Sequence, residues 1–319
     1  MPILVSLFFL LAAAGPALAQ GLPPLSPINP VATSRSGLSF EPYHDRSPGR
    51  WKLSFALDYA STIEYNDRTE ATYLLDSELL RLEATATRDI GSNAFLLLDT
   101  QLGGAYNGFM DGFLDWYHGL LGIEVPERER RPHNAFLYST QLADGTLVKR
   151  DPSDIYLGDT RVGVGLRLTP RLQSVAALTL PTSTGPEGYG RGVVSANLLN
   201  TFRAPLTGRL LYEGSLSGGY TPSHGSLSSR QRELFVSVSS GLRYRFWGKQ
   251  SLYGNLFYHS PYYEGTSLPS LDRHELSLDF GWILAMGGAG ELRVGMTEDL
   301  EPSGPAIDLV FRLGASLSP

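Results

Sequence analysis

Apolar and polar residues alternate along most of the chain from residue 51 onward. The first run places apolar residues at odd positions, namely Trp51, Leu53, Phe55, Leu57, Tyr59, Ile63 and Tyr65. Polar residues such as Lys52, Ser54 and Asp58 lie between them. Because side chains of a β-strand point to opposite faces in turn, this run predicts a strand with one apolar and one polar face. The same alternation recurs around residues 156–168, 209–220, 234–246 and 275–284.

Such strands can bury their apolar faces in two ways. A soluble sandwich packs them into a core, whereas a transmembrane barrel turns them to lipid and turns the polar faces to its lumen. These runs are often twice the length of a soluble strand, which is about 5–6 residues. Their polar faces carry charges of both signs with Gly and Ser, and aromatic residues collect near the run ends, as in the girdles of membrane barrels. We therefore predict an all-β transmembrane antiparallel β-barrel, with a soluble periplasmic β-protein as an alternative.

The lengths of the connections predict the number of strands. Short connections at 88–93, 169–171, 203–206, 247–249 and 286–290 alternate with longer ones at 66–72, 105–153, 181–192, 221–230, 260–272 and 300–305. Because such barrels have short periplasmic turns and longer outer loops, this predicts about twelve strands with both termini in the periplasm. Residues 134–148 of the second outer loop are then a hairpin around Asp144-Gly145. If they spanned the membrane instead, the barrel would have about fourteen strands.

The first residues have the order of a secretory signal peptide. An apolar run from Ile3 to Ala14 precedes Gly15-Pro16 and the small residues of Ala17-Leu18-Ala19, although no basic residue precedes the run. This order predicts export and cleavage after Ala19. The expected organisation is a signal peptide at 1–19, a Pro-rich periplasmic segment or plug at 20–50, and an outer-membrane β-barrel at 51–319.

The composition of the chain excludes several classes of function. The formal net charge of −6 argues against a nucleic-acid partner, and the absence of Cys excludes thiol catalysis and Cys-ligated zinc. Only 18% of the residues are charged, against about 25% in a typical globular domain, so charges inside the predicted strands stand out.

Charged residues at the polar positions of the strands are predicted to line the lumen. The candidates are Arg81, Glu83, Asp99, Asp159, Arg161, Arg167, Arg209, Glu213, Arg243, Arg245, Asp279, Arg293, Asp308 and Arg312. They could form a charged transport path or a salt-bridge network that fills a narrow barrel, and both alternatives stay open. The segment 21–48 carries scattered apolar residues, so we expect it to be ordered at the periplasmic end of the barrel.

The second outer loop contains a predicted amphipathic helix. Phe109, Phe113 and Trp116 recur at helical spacing, whereas Asp111 and Asp115 fall on another face. This helix could fold over the barrel mouth or lie at the outer membrane surface as a lipid or ligand contact. We favour a helix that only packs the loop onto the rim.

An outer-membrane lipid hydrolase is the alternative function. His118 could pair with Asp115 or Asp111 as a base or reach a metal, and His259-Ser260 follows a strand near the outer rim. These spacings match no recognised hydrolase or metal motif. We therefore assign no catalytic residue, metal or cofactor, and expect a non-enzymatic narrow channel or a structural or binding barrel. The expected partners are outer-membrane lipid, the barrel-assembly machinery during insertion and a small solute.

The second outer loop also carries the most distinctive sequence, Gly108 to Gly122 followed by Arg128 to Pro132. Together with Leu22-Pro23-Pro24 and Pro181 to Gly185, it resembles a family of exported Gram-negative proteins that are predicted outer-membrane β-barrels of unknown function. The resemblance covers nearly the whole mature chain. It implies an outer-membrane barrel and supplies no activity or catalytic residues.

Overall fold

The structure is a computed structural model that describes residues 21–36, 38–46, 51–67, 70–122, 132–287, 290–301, 303–305 and 307–317. The predicted signal peptide at 1–19 lies outside these residues. The strands are β1 (Trp51–Asp67), β2 (Thr72–Ile90), β3 (Ala94–Tyr106), β4 (Leu137–Gln141), β5 (Leu147–Arg150), β6 (Ser153–Leu157), β7 (Thr160–Thr169), β8 (Leu172–Leu180), β9 (Ser195–Pro205), β10 (Leu210–Tyr220), β11 (Leu234–Trp247), β12 (Gln250–His259), β13 (Glu275–Gly287), β14 (Gly290–Asp299) and β15 (Leu309–Leu317). The helices are α1 (Pro30–Arg35), α2 (Asp111–Leu121) and α3 (Pro269–Asp272).

Twelve of these strands close into an antiparallel barrel, as the connection lengths predict. β1, β2 and β3 pair in order, β3 pairs with β7, β7 to β15 follow in order, and β15 returns to β1. β4 and β5 form a hairpin that extends the outer end of β2, so the fourteen-strand alternative is wrong. The left-handed φ of +88° at Gly145 suits the turn of this hairpin, because glycine has no Cβ to oppose it.

The two ends of the barrel carry different connections. Short turns join β2 to β3, β7 to β8, β9 to β10, β11 to β12 and β13 to β14, and the chain enters β1 and leaves β15 at the same end. The longer loops lie at the opposite end. In barrels of this class the short-turn end faces the periplasm, so the loop end is called the outer end below. Among the described residues, no helix has the length and apolarity needed to cross a membrane.

The outer surface of the barrel is a belt of apolar side chains. Its exposed members include Leu57, Leu82, Leu96, Leu98, Val164, Leu166, Leu178, Leu198, Leu216, Val236, Val238, Leu242, Leu252, Leu256, Leu292, Val294 and Leu313. Their neighbours along each strand, such as Asp58, Thr85 and Ser239, are buried inside the barrel. A soluble monomer rarely exposes so large an apolar surface, whereas a membrane barrel presents one to lipid.

One strand departs from the predicted alternation. β6 and β7 are separated by Gly158 and Asp159, where the strand breaks, and the Gly158 amide still donates to the Gln101 carbonyl at 2.7 Å. The break shifts the side-chain parity by one residue, as a bulge does. Tyr156, which the sequence places in the outward row, therefore turns inward and packs against Tyr189, with ring centroids 5.5 Å apart.

Candidate functional site in the barrel lumen

The described residues of the segment 21–46, which are 21–36 and 38–46, run inside the barrel along its whole length and back. At the short-turn end, the Leu22 amide donates to the Glu213 carboxylate at 2.6 Å. At the outer end, Arg35 in α1 donates to the Thr221 carbonyl at 3.2 Å. The returning limb reaches the short-turn end again, where the Tyr43 hydroxyl donates to the Thr169 carbonyl at 2.9 Å. The segment is therefore not confined to the periplasmic end, where we expected it.

Apolar side chains of the segment pack against inward-facing residues of the wall. Leu22, Leu25 and Phe40 form one buried cluster with Tyr253, Phe257 and Ile283. These inward apolar residues interrupt the polar rows of β12 and β13 where the segment lies against them. The lumen therefore has an apolar core of its own, made jointly by the wall and the segment.

Wall arginines bind the segment through its carboxylates and carbonyls. Arg161 lies 3.1 Å from Glu41 and 3.4 Å from Asp99, so it joins the segment to β3. Arg203 binds Asp45 through two nitrogen–oxygen contacts, of 2.6 and 2.7 Å. Arg81 Nη1 donates to the Pro27 carbonyl at 2.6 Å, and Arg243 Nη1 donates to the Gly21 carbonyl at 2.9 Å.

Other charges pair across the wall itself. Asp58 accepts from Arg81 Nε at 3.1 Å and from Arg312 Nε at 2.6 Å. Arg312 also lies 3.6 Å from Asp279. Glu291 lies 2.7 Å from Arg243 and 3.5 Å from Arg293. Because a buried charge without a partner is costly, these pairs explain how so many ionised groups fit inside a narrow barrel.

The predicted lumen residues occupy three environments. Most are buried inside the barrel or nearly so, namely Asp99, Asp159, Arg161, Arg167, Glu213, Arg243, Asp279 and Arg293. Arg245 lies at the short-turn edge, where its Nη2 donates to the Gly208 carbonyl at 2.9 Å. Arg209 is exposed in the turn before β10, so the prediction that it lines the lumen is wrong. The strand begins at Leu210, and strand parity does not orient a turn residue.

Sequence reasoning missed several charged members of the lumen. Asp58, Glu291 and Arg203 each hold a buried or partly buried partner inside the barrel. Asp58 occupies a polar position of the first run, so strand parity could have found it. Arg203 and Glu291 fall at strand ends that the sequence assigned to turns or left out, because strand boundaries are poorly marked by alternation.

Small cavities remain between the segment and the wall. One of about 140 Å³ lies at the short-turn end and is lined by Tyr43, His44, Lys52, Thr87 and Arg293 among others. A second, of about 40 Å³, lies among Arg81, Glu83, Asp99, Asp159 and Arg191. Since a water molecule occupies about 30 Å³ in the liquid, the first has room for only a few waters or a very small solute.

The outer mouth is filled by aromatic residues of the loops. Tyr189, Tyr262, Tyr263 and the α3 residue Leu271 pack with Val31 of α1 in one buried cluster. Burial raises the pKa of Tyr263 to about 12, and it also raises the pKa of Tyr262. Both hydroxyls therefore stay protonated and uncharged at neutral pH. The loops cover the tip of the internal segment from outside.

A serine and a histidine meet at this end of the lumen. Ser36 of the segment forms a hydrogen bond with His259 Nε2 of β12, and His259 Nδ1 lies 2.5 Å from the Ser260 carbonyl. Their exposed fractions are 2% and 0%, and the His259 ring stacks on Tyr262 at 4.3 Å. A lipid ester could not reach this pair without displacing the loops. The contact ties the segment to the wall, and it does not resemble an open hydrolase site.

The predicted loop helix forms as α2 and lies on the outside of the barrel. Met110 and Leu114 are buried against the outward-facing Tyr59, Met296 and Phe311. It therefore does not fold over the mouth. Phe109, Phe113 and Trp116 stay largely exposed.

Two acidic residues of α2 contact the far end of the same outer loop. Asp115 lies 3.0 Å from His133, and Asp111 accepts from the Asn134 amide at 2.6 Å. His118 packs beside the Tyr117 ring, with centroids 5.7 Å apart. In the described part of the chain, no three His, Cys, Asp or Glu residues are placed to hold a metal ion together.

The fold is similar to that of solved outer-membrane channels. The COG4313 outer membrane channel from Pseudomonas putida F1 superimposes with a TM-score of 0.58 at 13% identity, over 87% of this chain and 98% of that one. The NanC porin gives a TM-score of 0.46 at 8% identity, over 83% and 98%. The Pseudomonas putida toluene transporter TodX gives 0.42 at 9% identity, over 92% and 98%. The first similarity shows a shared fold.

The family of the chain follows from its sequence. No curated protein matches it significantly. The model of the family described as "protein of unknown function (DUF3187)" matches residues 3–317. This match covers nearly the whole chain and confirms the resemblance noted in the sequence. The chain, with the fold and the apolar belt of an outer-membrane β-barrel, therefore belongs to the DUF3187 family.

Proposed function

We propose that the protein is a narrow outer-membrane channel for a small polar solute, held closed by residues 21–46. Residues 1–19 serve as a cleaved export signal, and the barrel-assembly machinery inserts the mature chain. One observation carries the proposal: the internal segment fills the lumen from the short-turn end to the outer end and back. A barrel that served only as a membrane scaffold would not need charged walls around a separable segment.

The contacts of the segment suit a plug that can be displaced. It joins the barrel covalently only through the chain before β1, and its other contacts are hydrogen bonds, ion pairs and apolar packing. Removing it would expose Arg161, Arg203 and Arg243 beside Asp99 and Glu213. A lumen with charges of both signs favours polar solutes, whose selection such side chains determine.

Planar-bilayer conductance tests the proposal. The mature chain should give little steady conductance, and a variant lacking residues 21–46 should conduct continuously. Because the deletion could prevent folding, a full-length variant with Glu41→Gln and Asp45→Asn provides a second test. It weakens the contacts of Arg161 and Arg203 with the segment and should open more often than the parent.

Two controls make the result specific. Asp144→Asn, in the turn of the β4–β5 hairpin, changes a carboxylate whose contacts are with Thr146 and Arg230 rather than with the segment, and it should leave conductance unchanged. In the deletion background, Arg203→Ser should shift ion preference towards cations, because it removes a positive charge from the wall. If neither the deletion nor the weakened variant conducts while both fold, the channel proposal fails and a structural or binding barrel remains.

A further inference from the structure

Helix α2 crosses four neighbouring strands on the outward face of the barrel. At its start, the Phe109 amide donates to the Glu78 carboxylate of β2 at 2.6 Å. Towards its end, the Tyr117 hydroxyl donates to Glu298 of β14 at 3.4 Å. Strands β1 and β15 lie between these two anchors. The helix thus runs around the barrel wall, across the strands, rather than along them.

The aromatic side chains of α2 reach lower on the wall than its polar anchors. Phe109 packs on Tyr59 at 5.4 Å, and Phe113 packs on Phe311 at 6.0 Å. Tyr59 and Phe311 are register partners of each other. Glu78 pairs with Ser61 and Glu298 pairs with Leu309, so both anchors lie two residues farther towards the outer end. The rings therefore point from the helix back towards the middle of the membrane.

The sequence of α2 divides the helix into three faces. With an advance of about 100° per residue, Phe113, Trp116 and Leu120 fall within about 60° of one another, and the exposed Phe109 lies just before the helix. We call these four residues the apolar stripe, and their exposed fractions range from 43% to 72%. Asp111, Asp115 and His118 lie on the opposite side, about 180° away. Met110, Leu114 and Tyr117 lie between the two and face the wall.

The height of the helix places it at the edge of the bilayer. A strand rises about 3.3 Å per residue and tilts by about 40°, so the stretch from Trp51 to Tyr59 spans about 20 Å along the membrane normal. The apolar band of such barrels is about 25 Å tall. The heights are measured from Trp51, which we take as the periplasmic edge of this band. Tyr59 therefore lies near the outer boundary of the band, and Glu78, two residues higher, lies at the headgroup level.

We infer that α2 is an interfacial helix whose apolar stripe is embedded in the acyl chains of the outer leaflet. The stripe continues the apolar belt that contains Leu57 and Leu313, while Asp115, whose side chain is 40% exposed, lies on the opposite side of the helix beside His133. Helices with this division of faces bind in the interface plane in proportion to the apolar area they bury. The lipid bilayer, rather than another protein, is the partner of this surface. The inference rests on the proposed insertion of the barrel in a membrane.

Fluorescence quenching by brominated lipid tests this placement. The chain has four Trp, so a variant with Trp51, Trp247 and Trp282 replaced by Phe keeps Trp116 as the only reporter on the stripe. The variant is reconstituted in phosphatidylcholine vesicles whose acyl chains carry bromine near the carboxyl end. Trp116 fluorescence should fall severalfold relative to unbrominated vesicles, and iodide should quench it little.

A matched reporter on the opposite face completes the experiment. With Trp116 also replaced by Phe, Asp115→Trp should show the reverse pattern, with strong quenching by iodide and weak quenching by brominated lipid. If Trp116 is quenched by iodide and not by brominated lipid, the stripe lies in water and the inference fails. If neither reagent quenches it, protein covers the stripe, for example a second copy of the chain, and the inference fails equally.

A barrel reporter separates this failure from failure of the proposed insertion. A variant that keeps only Trp51, on the outward face at the start of β1, should be quenched by brominated lipid whenever the barrel is in the bilayer. Loss of quenching at Trp51 would overturn membrane insertion itself. Quenching at Trp51 without quenching at Trp116 would overturn only the placement of the helix.

Discussion

Leu25 and Phe40 form an antiparallel β-bridge inside the barrel. The Leu25 amide donates to the Phe40 carbonyl at 3.1 Å, and the Phe40 amide donates to the Leu25 carbonyl at 2.7 Å. Both side chains are buried in the cluster shared with the wall. The bridge joins the two limbs of the internal segment below α1, so we expect the limbs to leave or stay in the lumen together.

Shortening Phe40 should therefore loosen the whole segment. Phe40→Ala removes a fully buried ring, a change that typically costs about 3–5 kcal/mol of packing free energy. In planar bilayers this variant should spend more time conducting than the parent chain. Phe40→Leu keeps most of the apolar volume and should stay close to the parent. If both variants remain closed, the packing of the Phe40 ring does not hold the segment in place.

Phe95 and Gly165 form a second close pair, on neighbouring strands β3 and β7. They are direct register partners, and a Cβ added at Gly165 would lie 2.0 Å from Phe95 Cζ. The ring also packs with His44 of the internal segment at 5.1 Å. Gly165→Ala must displace the ring, so we expect it to lower the free energy of unfolding by about 1–3 kcal/mol.

Urea unfolding of the reconstituted barrel would measure this loss. Because Leu is smaller than Phe, Phe95→Leu should relieve the clash, and the double variant should be less destabilised than the sum of the single variants. Additive effects of the two changes would contradict the proposed contact between them.

Residues on opposite faces of β1 should tolerate charge differently. Leu57→Arg places a guanidinium on the lipid-facing belt, which costs about 2–4 kcal/mol near the bilayer midplane. Ser54→Asp, on the same strand, places its charge in the cavity at the short-turn end, where Arg293 Nη1 donates to Ser54 Oγ at 3.4 Å. Heat-modifiable gel mobility should show reduced assembly for the first and near-normal assembly for the second. Equal tolerance would argue that the outward face does not meet lipid.

Strand parity is the feature that the sequence predicts well. Leu57 faces lipid and Asp58 faces the lumen, because apolar side chains are stable in lipid and polar side chains are stable in the lumen. The alternation of short and long connections is also visible in the sequence, because one short and one long connection follow each other along the chain. These two signals are enough to predict the barrel, its strand number and the hairpin of the second outer loop.

The path of the internal segment could not be predicted in this way. Glu41 and Arg161 are separated by 120 residues, and no periodic pattern marks their contact. The segment is Pro-rich and follows no strand or helix period, so its apolar residues show that it packs but not where. The inward position of Tyr156 escapes prediction for a related reason, because a bulge reverses parity without changing the composition of the strand.

The outer loops should loosen at acidic pH through Glu187. The Ser226 amide donates to the Glu187 carboxylate at 2.7 Å and holds the pKa of that carboxyl below its ordinary value. A lowered folded-state pKa contributes stability that is present above the unfolded pKa and is lost as pH falls through the folded pKa. Pepsin cleavage of loops 181–194 and 221–233 should therefore accelerate as pH falls from about 5 to 2.

Glu187→Gln provides the control for this pH dependence. Its neutral amide cannot lose a charge, so loop cleavage should be nearly independent of pH over the same range once the rate is normalised to an unfolded substrate. If the parent and the Gln variant show the same pH profile, another group controls the loops.

Glu78 should control the attachment of α2 to the barrel. Its carboxylate accepts the Phe109 and Met110 amides and the Tyr59 hydroxyl on the outward face of β2. Glu78→Ala leaves these donors without an acceptor, at a cost of about 1.5–3 kcal/mol for hydrogen bonds to a charged group. Chymotrypsin added to intact cells should then cut between residues 107 and 122 faster than in the parent. Fragment sizes on a gel would locate the cut.

Glu78→Gln is the matched variant, because its amide oxygen can still accept from the Phe109 amide. Cleavage in this variant should stay close to that of the parent, which separates the loss of an acceptor from the loss of charge. The short turn after Trp247 should remain uncut in all three proteins, since it lies at the opposite end of the barrel. The segment 127–131, outside the described residues, carries the densest charge of this loop, and we expect trypsin to cut the parent there. Cleavage at the short turn without cleavage in this loop would reverse the orientation of the barrel in the membrane and remove α2 from the outer leaflet.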